Sequence, residues 1–279
     1  MMDKVVVRVP ATSANLGPGF DCLGVALELH NRVTVMRGAA PIADDMVGAA
    51  AEAFFAAAGL APFDYGWSIT GDIPRSRGLG SSVAVRLGIL HGLNELSARP
   101  LDPTSLYLLC ADLEGHPDNA APAAFGGFAA AKSDGCYFRC DIAPEVRFVV
   151  LIPQEEVDTD SSRNELPETV ARLDAVFNVA QASIVTAAFA SQRYELLRGS
   201  MLDRLHQPYR EARLPHLGRA ISAGVEAGAL GGYLSGSGSA VACVTVDQPD
   251  SVAAAMQSAL PSSRVLVLRP DNRGTQVES

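Results

Sequence analysis

Lysine is almost missing from this 279-residue sequence, where Lys4 and Lys132 are the only two. Neither follows a glycine, so there is no Gly-Lys-Ser/Thr step for the usual phosphate-binding loop, and no Val-Ala-Ile-Lys strand for a protein-kinase lysine. Cysteine is sparse too: Cys22, Cys110, Cys136, Cys140 and Cys243 are odd in number and lack Cys-x-x-Cys spacing, which excludes a disulfide framework and indicates reduced thiols. The five histidines are scattered with no pair at metal-ligand spacing, and no zinc site is expected. No basic-then-apolar leader is read at the start and no apolar run is read as approaching a membrane span, so the expectation is a cytoplasmic protein without a membrane partner. Positive charge is short overall, and a net charge of −9 excludes a broad electrostatic footprint for nucleic acid. Small molecules are the expected partners.

The cationic charge that is present comes from arginine, whose planar fork suits carboxylate and phosphate. The length allows two moderate cores, with a boundary expected near Pro144 and domains at 1–144 and 145–279. "KVVVRVPATSANLGPGFDCLGVAL" reads as a strand over 5–9, a loop of turn formers and a second apolar segment at 22–29. An Ala-rich helix over 47–58 and a strand in "YGWSITGDIP" follow. Past the boundary, a strand over 146–152 leads to a long helix whose Val170, Leu173, Phe177, Ala180 and Ile184 form a stripe expected in the core. "YELLRGSMLDRLHQPYR" reads as a helix ending near Pro208, "GGYLSGSGSAVACVTV" as strand, Gly-Ser turn and strand, and "SSRVLVLRP" as the last strand. Alternating strands and helices indicate layered α and β structure.

Two local signals carry chemistry. In "PRSRGLGSSVAV", Gly78 and Gly80 allow positive φ and close approach, and Ser81 and Ser82 stand where the helix carrying Val83, Leu87 and Leu90 takes its N-cap. A helix N-terminus offers N–H groups and a positive dipole end to an anion, above all phosphate; the same residues also simply start core helices, and alone they leave both readings open. In "DPTSLYLLCADLEGHPDN", Asp102 as N-cap, Pro103 in the first turn, Gly115 past the end and Pro117 beyond bound a helix that leaves Glu114 at its C-terminus. A carboxylate there faces the negative dipole end, an unfavourable placement of about 0.3–1 kcal/mol, so either a cation offsets it or solvent screens it.

Four segments, "PATSANLGPGFDCLG", "PRSRGLGSSVAV", "EGHPDNAAPAAFGG" and "GGYLSGSGSAV", resemble the motifs of the GHMP small-molecule kinases in that family's order, over residues 5–246. The first, the third and "DRLHQPYR" are most similar to the homoserine kinases among them. The resemblance implies an α+β fold in two domains, the N-terminal one like the second domain of ribosomal protein S5 and the C-terminal one ferredoxin-like, with ATP between them and commonly a homodimer. It implies transfer of the γ-phosphoryl group of ATP to the side-chain hydroxyl of L-homoserine, in threonine biosynthesis. The alternatives are a kinase for threonine or another hydroxylated amine, and a catalytically silent nucleotide- or amino-acid-binding protein.

By the same resemblance, Pro74, Gly78, Leu79, Gly80, Ser81 and Ser82 are implied to bind nucleotide, and Ser82 with Glu114 to hold Mg²⁺. Arg163 and Arg210, with Thr159 beside them, are implied to clamp the acceptor carboxylate, and Asp21 with Asn15 to meet its ammonium. His116 and Asn119 are implied to line that pocket, Asn119 near the hydroxyl in place of a dedicated base. Three departures stand out: Val83 and Arg86 where small residues usually follow the serines, "SGSGSA" for a more usual Ser-Gly-Ser-Gly-Pro-Thr, and a short segment at 36–46. The last predicts a shallower enclosure for adenine.

Overall fold

In the computed structural model, which describes residues 3–39, 42–157 and 162–278, the first strand outruns its turn formers. β1 (Lys4–Ala14) continues past Pro10, and β2 (Leu23–Arg37) pairs antiparallel along all of it, from Lys4 opposite Met36 to Ala14 opposite Gly24. A register shift between Pro10 and Ala11 absorbs a proline that cannot donate to the ladder. The expected loop therefore shrinks to the connection between β1 and β2.

The other edge of β2 is long enough to pair with β3 (Tyr65–Gly71) and β4 (Phe128–Ala131), and β5 (Tyr137–Cys140) pairs with β4. Four helices belong to this half: α1 (Asp45–Ala58), α2 (Ser81–Leu96), α3 (Pro103–Glu114) and α4 (Ala120–Phe125). Val33, Val35, Phe54, Leu87, Leu90 and Tyr107 from these elements share one core. α3 keeps the boundaries its sequence announces, with the Asp102 carboxylate accepting the Ser105 N–H and Gly115 left-handed at the far end.

β6 (Arg147–Ile152) opens a second antiparallel sheet in the order β7-β8-β6-β9. Between β6 and β7 (Gly231–Leu234) lie α5 (Arg172–Ser191), a 3₁₀ turn at Tyr194–Leu197, α6 (Gln207–Arg210) and α7 (Leu217–Glu226). β8 (Val241–Thr245), α8 (Pro249–Ala259) and β9 (Arg264–Leu268) complete the strand–helix–strand–strand–helix–strand order of a ferredoxin-like unit. Val149, Leu151, Leu217, Val241 and Met256 form its core.

Four readings of the sequence need correction here. β9 is not the last strand, because β10 (Gln276–Glu278) returns to the first sheet and pairs with β1, too short to show a pattern. Pro208 opens α6 instead of ending a helix, as a residue without an N–H can in a first turn. The stripe on α5 faces outward: Leu173 is 74% exposed and Ile184 42%, while Asn178, Val185, Ala188 and Phe189 face in. Asn178 sets that side by donating to the Pro18 carbonyl and to Asp203, and Phe189 stacks on Phe128. Finally, α5 is, by length and composition alone, long and apolar enough to cross a membrane, so an apolar run of that size is present after all.

Candidate active site

The Gly-Ser loop is shaped by close approach. Gly78 and Gly80 both have positive φ, and a Cβ would lie 2.0 Å from the Ser235 carbonyl oxygen at the first and 2.0 Å from Thr12 Oγ1 at the second. Gly80 itself is the N-cap of α2, in the left-handed region, so Ser81 and Ser82 are the first helical residues and not its caps. Among the described residues no side chain caps this helix end, whose first-turn N–H groups have no intrahelical partner, and Gly80, Ser81 and Ser82 lie on the cleft wall.

Glu114, on the last turn of α3, is only 8% exposed and meets this helix end. The Ser82 hydroxyl donates to its Oε2 at 3.0 Å, and the Arg86 guanidinium donates to its Oε1. Arg86 is thus a cation that offsets the helix dipole at this carboxylate. Ser82 and Glu114 together present hard oxygen donors, a set that fits a magnesium-like cation completed by water and phosphate oxygens.

Next along the chain, Asp118 is buried and its Oδ1 accepts from His116 Nδ1 at 2.7 Å and from Asn119 Nδ2 at 3.3 Å. The Thr12 hydroxyl donates to Asn119 Oδ1 at 2.6 Å, which fixes the amide's orientation. Burial pulls the His116 pKa down, but the hydrogen bond and charge of Asp118, together with the charge of Asp21, outweigh it and the net shift is upward. Asp21, His116 and Asp118 bring ligating atoms within 4.8 Å of one another, a cluster that histidine spacing in the sequence did not announce.

At the residues expected to meet the acceptor, Arg163 Nη1 and Nη2 donate to Asp21 Oδ2 and Oδ1 at 2.9 and 2.7 Å. The groups expected to hold opposite ends of an amino acid therefore hold each other. Asn15 works as a brace: its Oδ1 accepts the Asp21 N–H at 3.0 Å and its Nδ2 donates to the Gly236 carbonyl. Arg210 is 2% exposed, with Nη1 near His206 Nδ1 at 3.1 Å and the Gly236 carbonyl at 3.3 Å, and its Nε has no hydrogen-bond partner among the described residues. Burial, reinforced by Arg163 and Arg213, lowers its pKa to about 10, which still leaves it charged at neutral pH.

One cleft of about 260 Å³ is lined by Asn15, Asp21, Gly78, Leu79, Gly80, Ser81, Ser82, Glu114, His116, Asn119, Arg163 and Arg210. Pro74 is not on its wall, and Leu79, 1% exposed, anchors the loop by accepting the Thr12 N–H through its carbonyl. Thr159 lies outside the described residues. Reading the sequence missed Thr12, although it sits inside "PATSAN", and missed Phe20, Asp44, Met46 and Trp67, which also line the cleft. The Arg86 pairing had a signal, since Arg86 follows Ser82 by four residues and so shares its helix face.

The model of the GHMP kinases N-terminal domain matches residues 45–127, and that of the GHMP kinases C-terminal domain matches residues 185–263. A homoserine kinase of Moorella thermoacetica is 38% identical over 293 aligned positions, covering 98% of this chain and 99% of its own length. A homoserine kinase of Thermus thermophilus is 38% identical over 281 positions, covering 96% of each. Among solved structures, the homoserine kinase from Cytophaga hutchinsonii matches with a TM-score of 0.90 at 25% identity, over 100% of this chain and 98% of its own.

Proposed function

The chain belongs to the GHMP kinase family, and from that premise we propose that it transfers the γ-phosphoryl group of ATP to the side-chain hydroxyl of L-homoserine, in the cytoplasm and as a homodimer. Membership makes it an ATP-using phosphotransferase acting on a hydroxyl group. The observation that carries the substrate is the meeting of two chemistries in one cleft: an uncapped helix N-terminus beside Ser82 and Glu114, and a carboxylate–guanidinium pair beside Arg210.

In this reading the α2 N–H groups cradle the nucleotide phosphates, and Ser82 and Glu114 hold Mg²⁺, which supplies neutralisation of phosphate charge when bound. The acceptor carboxylate takes the place of Asp21 in the Arg163 fork, and the freed Asp21 receives the ammonium. Charge-assisted contacts contribute about 1.5–3 kcal/mol each, but at Arg163 one such contact replaces another. Arg210, with an unpartnered buried Nε, gains more from the substrate carboxylate. Asn119, fixed by Thr12, orients the hydroxyl, and catalysis is positioning and charge neutralisation with no dedicated base.

The test is a panel of homoserine, threonine, serine and polyols assayed with ATP and magnesium. O-phosphohomoserine is the expected preferred product. Preferential phosphorylation of threonine reassigns the acceptor, and nucleotide binding without phosphoryl transfer to any of them leaves a silent binding protein.

A further inference from the structure

Glu114 has two suitors. Its Oε2 accepts from Ser82, while Oε1 is taken by Arg86, a cation already built into the chain one helical turn from Ser82. We propose that Arg86 competes with the divalent cation for Glu114 and so sets how tightly the metal binds with the nucleotide. The inference rests on the reading of Ser82 and Glu114 as the metal-holding pair.

The pair is sheltered: Arg86 is 18% exposed and Glu114 8%, so salt and water screen their interaction less than on an open surface. Nothing else anchors the guanidinium through its Nε, which is buried without a hydrogen-bond partner among the described residues. The Glu114 carboxylate is therefore the principal seat of this charge. A carboxylate compensated by a guanidinium is a weaker ligand for a second cation. With the charge at residue 86 removed, Glu114 is left at the negative end of α3 with the metal as its only counter-charge among the described residues, and the metal binds more tightly. Arg86 acts through Glu114 and is a positioning residue in this account.

The experiment measures Mn²⁺ binding in the presence of saturating ADP, from the electron paramagnetic resonance of free Mn²⁺, for the wild type, R86M, R86Q, R86K, E114Q and the double variant R86M/E114Q. R86M and R86Q are expected to bind Mn²⁺ about five- to tenfold more tightly than the wild type, with R86K within about twofold of it. R86M/E114Q should bind no more tightly than E114Q. R86Q removes the charge while retaining a hydrogen bond to Oε1, so it answers the question if R86M fails to fold, and a mere structural prop would leave R86Q like the wild type. Unchanged or weaker Mn²⁺ binding in the folded neutral variants overturns the inference and leaves Glu114 as a ligand. Wild-type Mn²⁺ binding by E114Q instead overturns the metal reading of Glu114, and this inference with it.

Discussion

Arg163 and Arg210 carry the same charge in the same cleft, yet the structure gives them unequal tasks. Arg163 already has a two-point partner in Asp21, whereas Arg210 is buried with one nitrogen unpartnered among the described residues. Replacing Arg210 by Lys offers a point charge where a planar fork is needed, so the KM for the acceptor amino acid should rise about tenfold or more with a smaller change in kcat. Steady-state kinetics on a folded variant decide it; an unchanged KM makes Arg210 structural. Glu114→Gln should keep the fold and lower kcat by at least about tenfold at saturating magnesium, because it weakens a proposed metal ligand that matters most as charge develops. A wild-type kcat there removes Glu114 from the reaction. His116 offers a pH test with a definite sign. Its pKa lies above 6.5 because Asp118, with Asp21 behind it, outweighs burial, so its stabilising charge is fully present below 6.5 and is lost as pH rises through the folded value. Asp118→Asn removes the nearest counter-charge and leaves burial opposed only by the charge of Asp21, so the imidazole pKa should fall in an NMR titration. A value in the variant equal to the wild type's would show that Asp118 is not the cause.

What could be read in advance at the level of elements was whatever a few neighbouring residues decide. α3 was legible to the residue because Asp102, Pro103 and Gly115 act within one turn of its ends. The start of α2 was misread by a residue or two, since serines usually cap, and only the approach of Thr12 from β1 shows why Gly80 must. The outward stripe of α5 was illegible for a related reason: its core side is chosen by Asn178 meeting Pro18 and Asp203, contacts distant in sequence. The cleft residues were found through motifs, and those missed, Phe20, Met46 and Trp67, carry no local mark of a ligand. One element bears directly on nucleotide choice. Asp44 lines the cleft, but its Oδ1 accepts the Val47 N–H as the N-cap of α1, so one oxygen of a polar group on the cleft wall is committed to the helix. Fewer base-specific hydrogen bonds are then available, and losing one or two costs about 1–3 kcal/mol of discrimination. A weak preference for ATP over GTP and a high ATP KM are expected. Competition kinetics at equal magnesium test this, with Trp67, the one tryptophan in the sequence, as an optical probe of binding. A tight ATP KM with GTP turnover several hundredfold lower refutes it.

At the scale of the whole molecule, the proposed acceptor site and the outer surface are joined through α5. Its inner face holds the Pro18 carbonyl, in the loop that carries Asp21, while its outer face shows Leu173, Val176, Val179 and Ile184, 74%, 59%, 67% and 42% exposed. Apolar side chains in one stripe gain about 1.5–3 kcal/mol each when fully buried, and a second copy of the chain can bury the same stripe in return. Two chains of net charge −9 repel one another, so an apolar contact is the kind that can hold them together. The expected mass in solution is twice the 29.2 kDa of one chain, and the dimer should tighten as salt screens the repulsion. Replacing Val176 and Val179 by Glu places four new charges in a symmetric interface and should yield a monomer by light scattering. Because α5 also braces the loop of Asp21, the acceptor KM should rise in that monomer while ATP binding holds. A dimer that survives both substitutions puts the interface elsewhere, and protein that floats with lipid vesicles shows that the stripe meets a membrane surface instead.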